Sequence, residues 1–370
     1  MHILIAPDSF KESLSALKVA EALKEGFSKS LPDATFDLMP IGDGGEGTLA
    51  ALIDGLSLEM RTQSVTGALG HSVSVTYASK GSLAVFEMAD VCGLEKVPKN
   101  ERQPLTLTTR GVGELLVKLA QSGMTEIMIG VGGSSTNDGG IGMAAGLGYQ
   151  FIDENGQPLE AVGANLAKIC QIIPPQENPL AGVKVTIITD VQNPLCGENG
   201  ATYIFGGQKG LEENQFEMVD TDMQSFYQLA NPDILKMAGA GAGGGMAAGL
   251  VTFAAGEIFS GIDAVLDILD FDVRVQKADL VVVGEGRMDR QSLSGKAPFG
   301  VAKRTPEQIP VIAICGSLKD DLPDFPTHHI QAVFPIISTV DSLENTFAQT
   351  KSNLIRTAQN IGNVSKILNE

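Results

Sequence analysis

Short apolar runs that end on turns carrying a carboxylate, usually with glycine, recur along this chain, and no other feature of the sequence restricts its fold as strongly. Residues 2–7 (HILIAP) form one such run ahead of Asp8 and Ser9, which are placed to cap a helix with an apolar stripe of Leu14, Leu17, Leu23 and Phe27. A second run at 35–39 leads into PIGDGGEG and a helix from about Thr48. Toward the other end, runs at 280–283, 311–314 and 331–334 repeat the pattern before one long amphipathic helix expected over 343–368. Runs this short and apolar suit strands buried on both faces, and their alternation with helical stripes predicts β-α units in a parallel sheet. Both ends of the chain therefore predict a single doubly wound domain.

The middle of the chain reads differently. Residues 62–88 alternate polar and β-branched side chains across two glycine turns, as an antiparallel meander does. A helix (113–121), a strand (126–131), a glycine-rich loop and helix (132–146) and a further strand (183–189) then suggest a second α/β domain. At 370 residues the chain exceeds the span of about 250–300 residues that one core fills. The expected organisation is residues 1–60 and 262–370 in one domain, with 61–261 inserted as another.

Composition excludes several classes of function. A formal net charge of -18 opposes binding to nucleic acid or an anionic membrane, both of which draw affinity from Lys and Arg. The four cysteines show no CxxC pair, so a zinc site is not expected. Without a basic leader or a run of about 18 apolar residues, the chain is expected to be cytoplasmic, with reduced thiols and no membrane partner. Composition leaves a monomer and a homodimer equally open.

Five segments carry carboxylates, amides or cations just after expected strands, three of them with glycine: PDSFK (7–11), GDGGEGT (42–48), GGSSTNDGG (132–140), TDVQNPL (189–195) and GEGRMDRQSLSGK (284–296). In open parallel sheets the crevice outside the carboxyl ends of the strands is where ligands bind. These residue types fit phosphoryl transfer, in which glycine lets backbone N–H groups approach phosphate, carboxylates hold Mg²⁺, and cations stabilise charge on the γ-phosphoryl group. The candidates for contact with substrate or nucleotide are Asp8, Ser9, Gly44, Gly45, Gly132, Gly133, Ser134, Asn137, Asp138, Asn193, Gln291 and Ser292. The loop 132–140 is expected to offer free N–H donors at a helix N-terminus. Asp190 and Asn193 could equally form an Asx turn before Pro194.

Two other motifs do not hold. SGKA (294–297) lacks the first glycine of a P-loop, where Arg290 stands, and has Ala297 in place of the metal-binding Ser or Thr. Gly239, Gly241 and Gly244 satisfy G-x-G-x-x-G, but NPDILKMA before them reads as helix rather than strand, which argues against a dinucleotide site.

In their order along the chain, APDSFKESLSA, PIGDGGEGT, GVGGSSTNDGGIGMAAGLG, DVQNPLCGENGAT with FGGQKG, GAGAGGG, and VVGEGRMDRQSLSGKAPFGVA resemble the motif set of the glycerate kinase type 1 family, from residue 3 to about 340. The resemblance implies a flavodoxin-like domain with an inserted α/β domain, ATP and Mg²⁺ as cosubstrates, and D-glycerate as acceptor. On this reading Lys11, Lys209, Arg287 and Lys296 bind phosphates and the substrate carboxylate, and Lys11 and Arg287 are catalytic. Asp43, Glu46, Glu285 and Asp289 are the candidates for Mg²⁺, and Asp190 is the first choice for general base. Transfer is expected in a cleft between the domains, to the 2-hydroxyl, which is the position the resemblance favours; a 3-kinase is the alternative. A nucleotide-dependent dehydrogenase and a two-domain solute-binding protein are the rival classes, and neither accounts for so many carboxylates beside glycine turns.

Overall fold

The computed structural model describes residues 1–10, 12–41, 56, 58–290, 292–294, 296–339 and 341–369. Lys11, Asp43, Gly44, Gly45, Glu46 and Gln291 lie outside the described residues. By contact the chain divides into two compact units, one formed by Met1–Ser57 with Gly261–Glu370 and the other by Leu58–Ser260. In chain order the strands are β1 (His2–Pro7), β2 (Thr35–Leu38), β3 (Glu59–Thr66), β4 (Ser72–Lys80), β5 (Leu83–Glu87), β6 (Glu126–Gly130), β7 (Gln150–Ile152), β8 (Pro158–Leu159), β9 (Gln171–Ile173), β10 (Lys184–Ile188), β11 (Glu257–Phe259), β12 (Leu280–Met288), β13 (Val311–Leu318) and β14 (Ile330–Pro335).

In the first unit the sheet order is β14-β13-β12-β1-β2, with every pairing parallel. Counted within the unit this is 2-1-3-4-5, the flavodoxin-like doubly wound order, and its topological switch point lies between β1 and β12. Ile3 and Ile5 of β1 and Val282 of β12 are wholly buried against Leu23 and Phe27 of the Ala16–Ser30 helix and Leu354 and Ala358 of the C-terminal helix. Continuous apolar strands are what a sheet covered on both faces requires.

Three local expectations change. The first helix starts at Ala16 and is capped by Ser15, whose side chain accepts from the Lys18 N–H, so Asp8 and Ser9 are not its caps. β12 runs on to Met288, which puts Glu285 and Arg287 on a strand rather than in a loop. The single long C-terminal helix is two, Leu343–Ala348 and Thr350–Asn369, because Gln349 caps the first of them.

The second unit has a six-stranded sheet, β11-β10-β6-β5-β4-β3, in which β11, β10, β6 and β5 are parallel and the β3–β4–β5 meander is antiparallel. The alternation seen at 62–88 thus does form a meander. A small antiparallel sheet, β8-β7-β9, stands apart from it. Before the Ala242–Ala254 helix, NPDILKMA forms a short 3-10 helix over Pro232–Lys236, so no strand precedes the glycine triplet. Gly243, Gly244 and Gly245 all adopt positive φ at the start of the helix. A side chain at Gly244 would collide with the Thr136 carbonyl, so this run exists to let the helix approach the 132–140 loop. Among the described residues, no helix is long and apolar enough to cross a membrane.

Candidate active site

In the first unit the motif residues after β1 and β12 meet at the switch point. Asp8 follows β1 directly, its backbone N–H held by the Gly284 carbonyl of β12 at 2.8 Å. Across from it, Glu285, Arg287, Asp289 and Lys296 line a cavity of about 470 Å³ together with Asp8 and Ser9. All of its lining residues belong to this one unit. Arg287 Nε lies 3.8 Å from Asp289 Oδ2, and Lys319 Nζ approaches the same oxygen at 3.7 Å. Lys296 Nζ stands 4.0 Å from Glu285 Oε2. Ser292 is fully buried behind them and its hydroxyl accepts from the Asp289 N–H at 3.1 Å.

The two cations keep much of their side chains in water, 63% for Arg287 and 35% for Lys296, whereas the carboxylates beside them are nearly covered. Burial pushes Glu285 up to about 7, opposed by a hydrogen bond from Ser292 and the charge of Lys296. Among the described residues, its Oε1 is buried with no hydrogen-bond partner. A buried carboxylate oxygen left unpaired beside open cations is costly in a finished structure, and it marks a position that a ligand or cation satisfies. Among the described residues, no group of three His, Cys, Asp or Glu side chains converges closely enough to hold a metal ion alone.

In the second unit the glycine-rich loop divides into an outer and an inner part. Gly132 and Gly133 are exposed, while residues 134–140 are buried. Asp138 is wholly buried, and its carboxylate accepts from the Thr109 hydroxyl (2.7 Å) and from the N–H groups of Thr109 (3.2 Å), Gly140 (3.0 Å) and Gly142 (3.3 Å). The donors expected to be free at the start of the Ile141–Gly146 helix are therefore taken up inside the protein, by Asp138 itself. Asn137 is also buried and donates to the Thr202 hydroxyl at 3.1 Å.

Lys209, expected at the phosphates, lies against the inner part of this loop. It is 3% exposed, and its ammonium donates to the Ser134 hydroxyl (2.7 Å) and the Thr136 carbonyl (2.8 Å). Burial lowers it to about 8. In this structure its charge supports the loop from behind. Asp190 follows β10 and is exposed, and the Asn193 amide donates to the Asn199 carbonyl at 2.8 Å, which closes a wider loop than an Asx turn would.

Glu87 and Lys319 escaped the sequence reading. Glu87 ends β5 at the same carboxyl edge as Gly132, Gly133 and Asp190, paired in register with Gly130 of β6. Burial pushes it up to about 7, with the nearby charge of Asp90 adding to the shift. A Cβ at Gly130 would collide with the Glu87 carboxylate, so the glycine that makes room for this side chain sits on the neighbouring strand. A motif search that looks for glycine beside a carboxylate in sequence does not find such a pair. Lys319 follows β13 directly in GSLKDD (316–321), where glycine and carboxylates flank the cation after an expected strand, so the signal was present in the sequence.

A flavodoxin-like sheet with cations and carboxylates gathered around a cavity at its switch point has the residue types that phosphoryl-transfer enzymes use. The glycerate kinase family model matches residues 3–366. The glycerate kinase of Neisseria meningitidis serogroup B is 52% identical over 365 residues, covering 98% of each chain. The glycerate 2-kinase of Escherichia coli K12 is 41% identical over 369 residues, covering 98% of this chain and 97% of its own. A crystal structure described as glycerate kinase 2 from Salmonella typhimurium LT2 has a TM-score of 0.87 at 39% identity, covering 100% of this chain and 99% of that one. The chain belongs to the glycerate kinase family and is a kinase.

Proposed function

We propose that the chain transfers the γ-phosphoryl group of ATP to the 2-hydroxyl of D-glycerate, giving 2-phosphoglycerate. The observation that carries the reading is the charged cavity at the β1–β12 switch point, where open cations face buried carboxylates in a chain of this family. Arg287 and Lys296, whose charged groups stand in water at the cavity, are assigned to the phosphates and the acceptor carboxylate, and Lys11 is assigned with them by its motif. Glu285 and Asp289 are assigned to Mg²⁺ together with Asp43 and Glu46; the unpaired Oε1 of Glu285 supports its share. Bound there, Mg²⁺ would supply charge neutralisation on the phosphoryl oxygens. Gly132 and Gly133 offer exposed backbone at the carboxyl end of β6. Asp190, exposed after β10, is assigned the proton of the attacking hydroxyl. Choice of the 2-hydroxyl rests on the E. coli relative's name. The protein is proposed to act in the cytoplasm on small molecules, with neither nucleic acid nor membrane as partner, as a monomer or homodimer.

A coupled assay tests this directly: ADP should be released only when ATP, Mg²⁺ and D-glycerate are all present. Enolase added without phosphoglycerate mutase should carry the product onward, because it acts on 2-phosphoglycerate alone. ADP release without that signal would reassign the enzyme as a 3-kinase. Asp190→Asn should reduce turnover by about 10² while leaving ATP binding nearly intact; near-normal turnover moves the base to another carboxylate.

A further inference from the structure

The cavity of the first unit has two unlike ends. Its charged end lies at the switch point, with Arg287, Lys296, Glu285 and Asp289 at the carboxyl ends of the central strands. Its other end is formed beyond β14, at the sheet's edge, by Ile337, Leu343 and Phe347. Leu343 is 74% exposed and Ile337 45% exposed, so two large aliphatic side chains stand in water at the rim of a charged cavity. With Phe347 they give this end of the cavity an apolar lining. The segment that follows β1 is tied to this apolar end. The Ser13 hydroxyl, in the segment that follows β1, donates to the Phe347 carbonyl at 3.1 Å and pairs with the Thr350 hydroxyl at 2.7 Å.

A ligand that satisfies both ends must itself be polarised, with anionic groups at one extremity and a flat apolar group at the other. Of the two cosubstrates in the proposed reaction, a three-carbon hydroxy acid has no apolar part and would leave the Ile337–Leu343–Phe347 wall in water. A nucleoside triphosphate has both parts, and the cavity of about 470 Å³ falls within the usual range of roughly 300–1,000 Å³ for ligands of that class. The charged end is mixed in sign, which excludes a bare polyanion and suits phosphates that arrive with a divalent cation.

We propose that this cavity is the nucleotide site, with the phosphates toward Arg287 and Lys296 and the base against Ile337, Leu343 and Phe347. The inference rests on the glycerate kinase reading above and adds the orientation of the nucleotide and the residues that select it. None of the three apolar residues takes part in the chemistry; they are specificity determinants.

The test is the full-length double variant Ile337→Ser/Leu343→Ser, which changes exposed side chains and no charge. KM for ATP should rise about tenfold or more, with KM for D-glycerate within twofold of wild type. Inhibition by the Mg²⁺ complex of inorganic tripolyphosphate, which has the phosphates and no base, should be unchanged. An ATP KM within twofold of wild type overturns the proposal, and so does a rise confined to the KM for glycerate. If the wild type fails to phosphorylate glycerate at all, the functional reading fails by itself. Calorimetric ADP binding then decides the nucleotide site: weaker binding by the variant supports it, and equal affinity overturns it.

Discussion

At the carboxyl end of β12, Arg287 and Lys296 stand half in water around buried carboxylates, one of which keeps an oxygen unpaired. In the second unit, Asp138 and Lys209 are sealed from solvent and engaged from within, the carboxylate by four donors and the ammonium by two acceptors. Both clusters mix acid and base beside glycine, and in sequence they look alike. Satisfaction separates them. Charges whose hydrogen-bonding capacity is filled from within hold a loop in place, whereas charges left open at a cavity are available to a ligand. The contrast can be broken at several points.

The largest effect concerns the units themselves. Each has its own core, one drawn wholly from Leu58–Ser260 and the other from both chain ends. Residues 58–260 expressed alone should fold cooperatively, while residues 1–57 alone should stay unfolded by circular dichroism. Two independently folding halves cut near residue 150 would contradict this.

Asp138→Ala comes next, because it strands the buried N–H groups of Thr109, Gly140 and Gly142. A loss of about 3 kcal/mol or more is expected from three unpaired buried donors. Denaturant unfolding measures it, and turnover per folded molecule should change far less than stability. Should stability hold while turnover collapses, Asp138 would belong with the ligand groups after all.

Arg287→Ala should show the reverse. Its guanidinium is mostly exposed, so removal should shift the melting temperature little while turnover falls by about 10² or more. Matching losses of folding and activity would place Arg287 among the structural charges.

The smallest effect is at Glu87, which is intermediate between the two clusters in burial. Burial raises it from 4.5 to about 7 in the folded protein, so the unfolded chain releases this proton at lower pH than the folded one. Its contribution to stability therefore declines as pH rises from about 4.5 to 7 and is lowest above that range. Glu87→Gln should raise the melting temperature at pH 8 and leave it nearly unchanged at pH 4. Equal shifts at both values would mean that the carboxylate is not desolvated.

Much of the architecture could be read from the residues in order. The runs ILIA at 3–6 and LVVV at 280–283 are apolar throughout, and a strand covered on both faces demands that, so their places in a parallel sheet were legible. The alternation at 62–88 fixed the meander for the same local reason. Boundaries were less legible. β12 continues through Gly284-Glu285-Gly286 because β13 supplies its ladder partners, and no residue within that segment announces them.

The sequence alone determined which residue types the chain brings to the carboxyl ends of its strands, since apolar period and turn chemistry are written locally. Only the tertiary structure decided which of those charges are open and which are spent. Lys209 is buried because Ser134 and Thr136, some seventy residues earlier, meet it with acceptors, and Glu87 finds its space because Gly130 lies beside it on the next strand. Burial and hydrogen-bond satisfaction depend on partners far away in the chain, and residue order does not encode those distances.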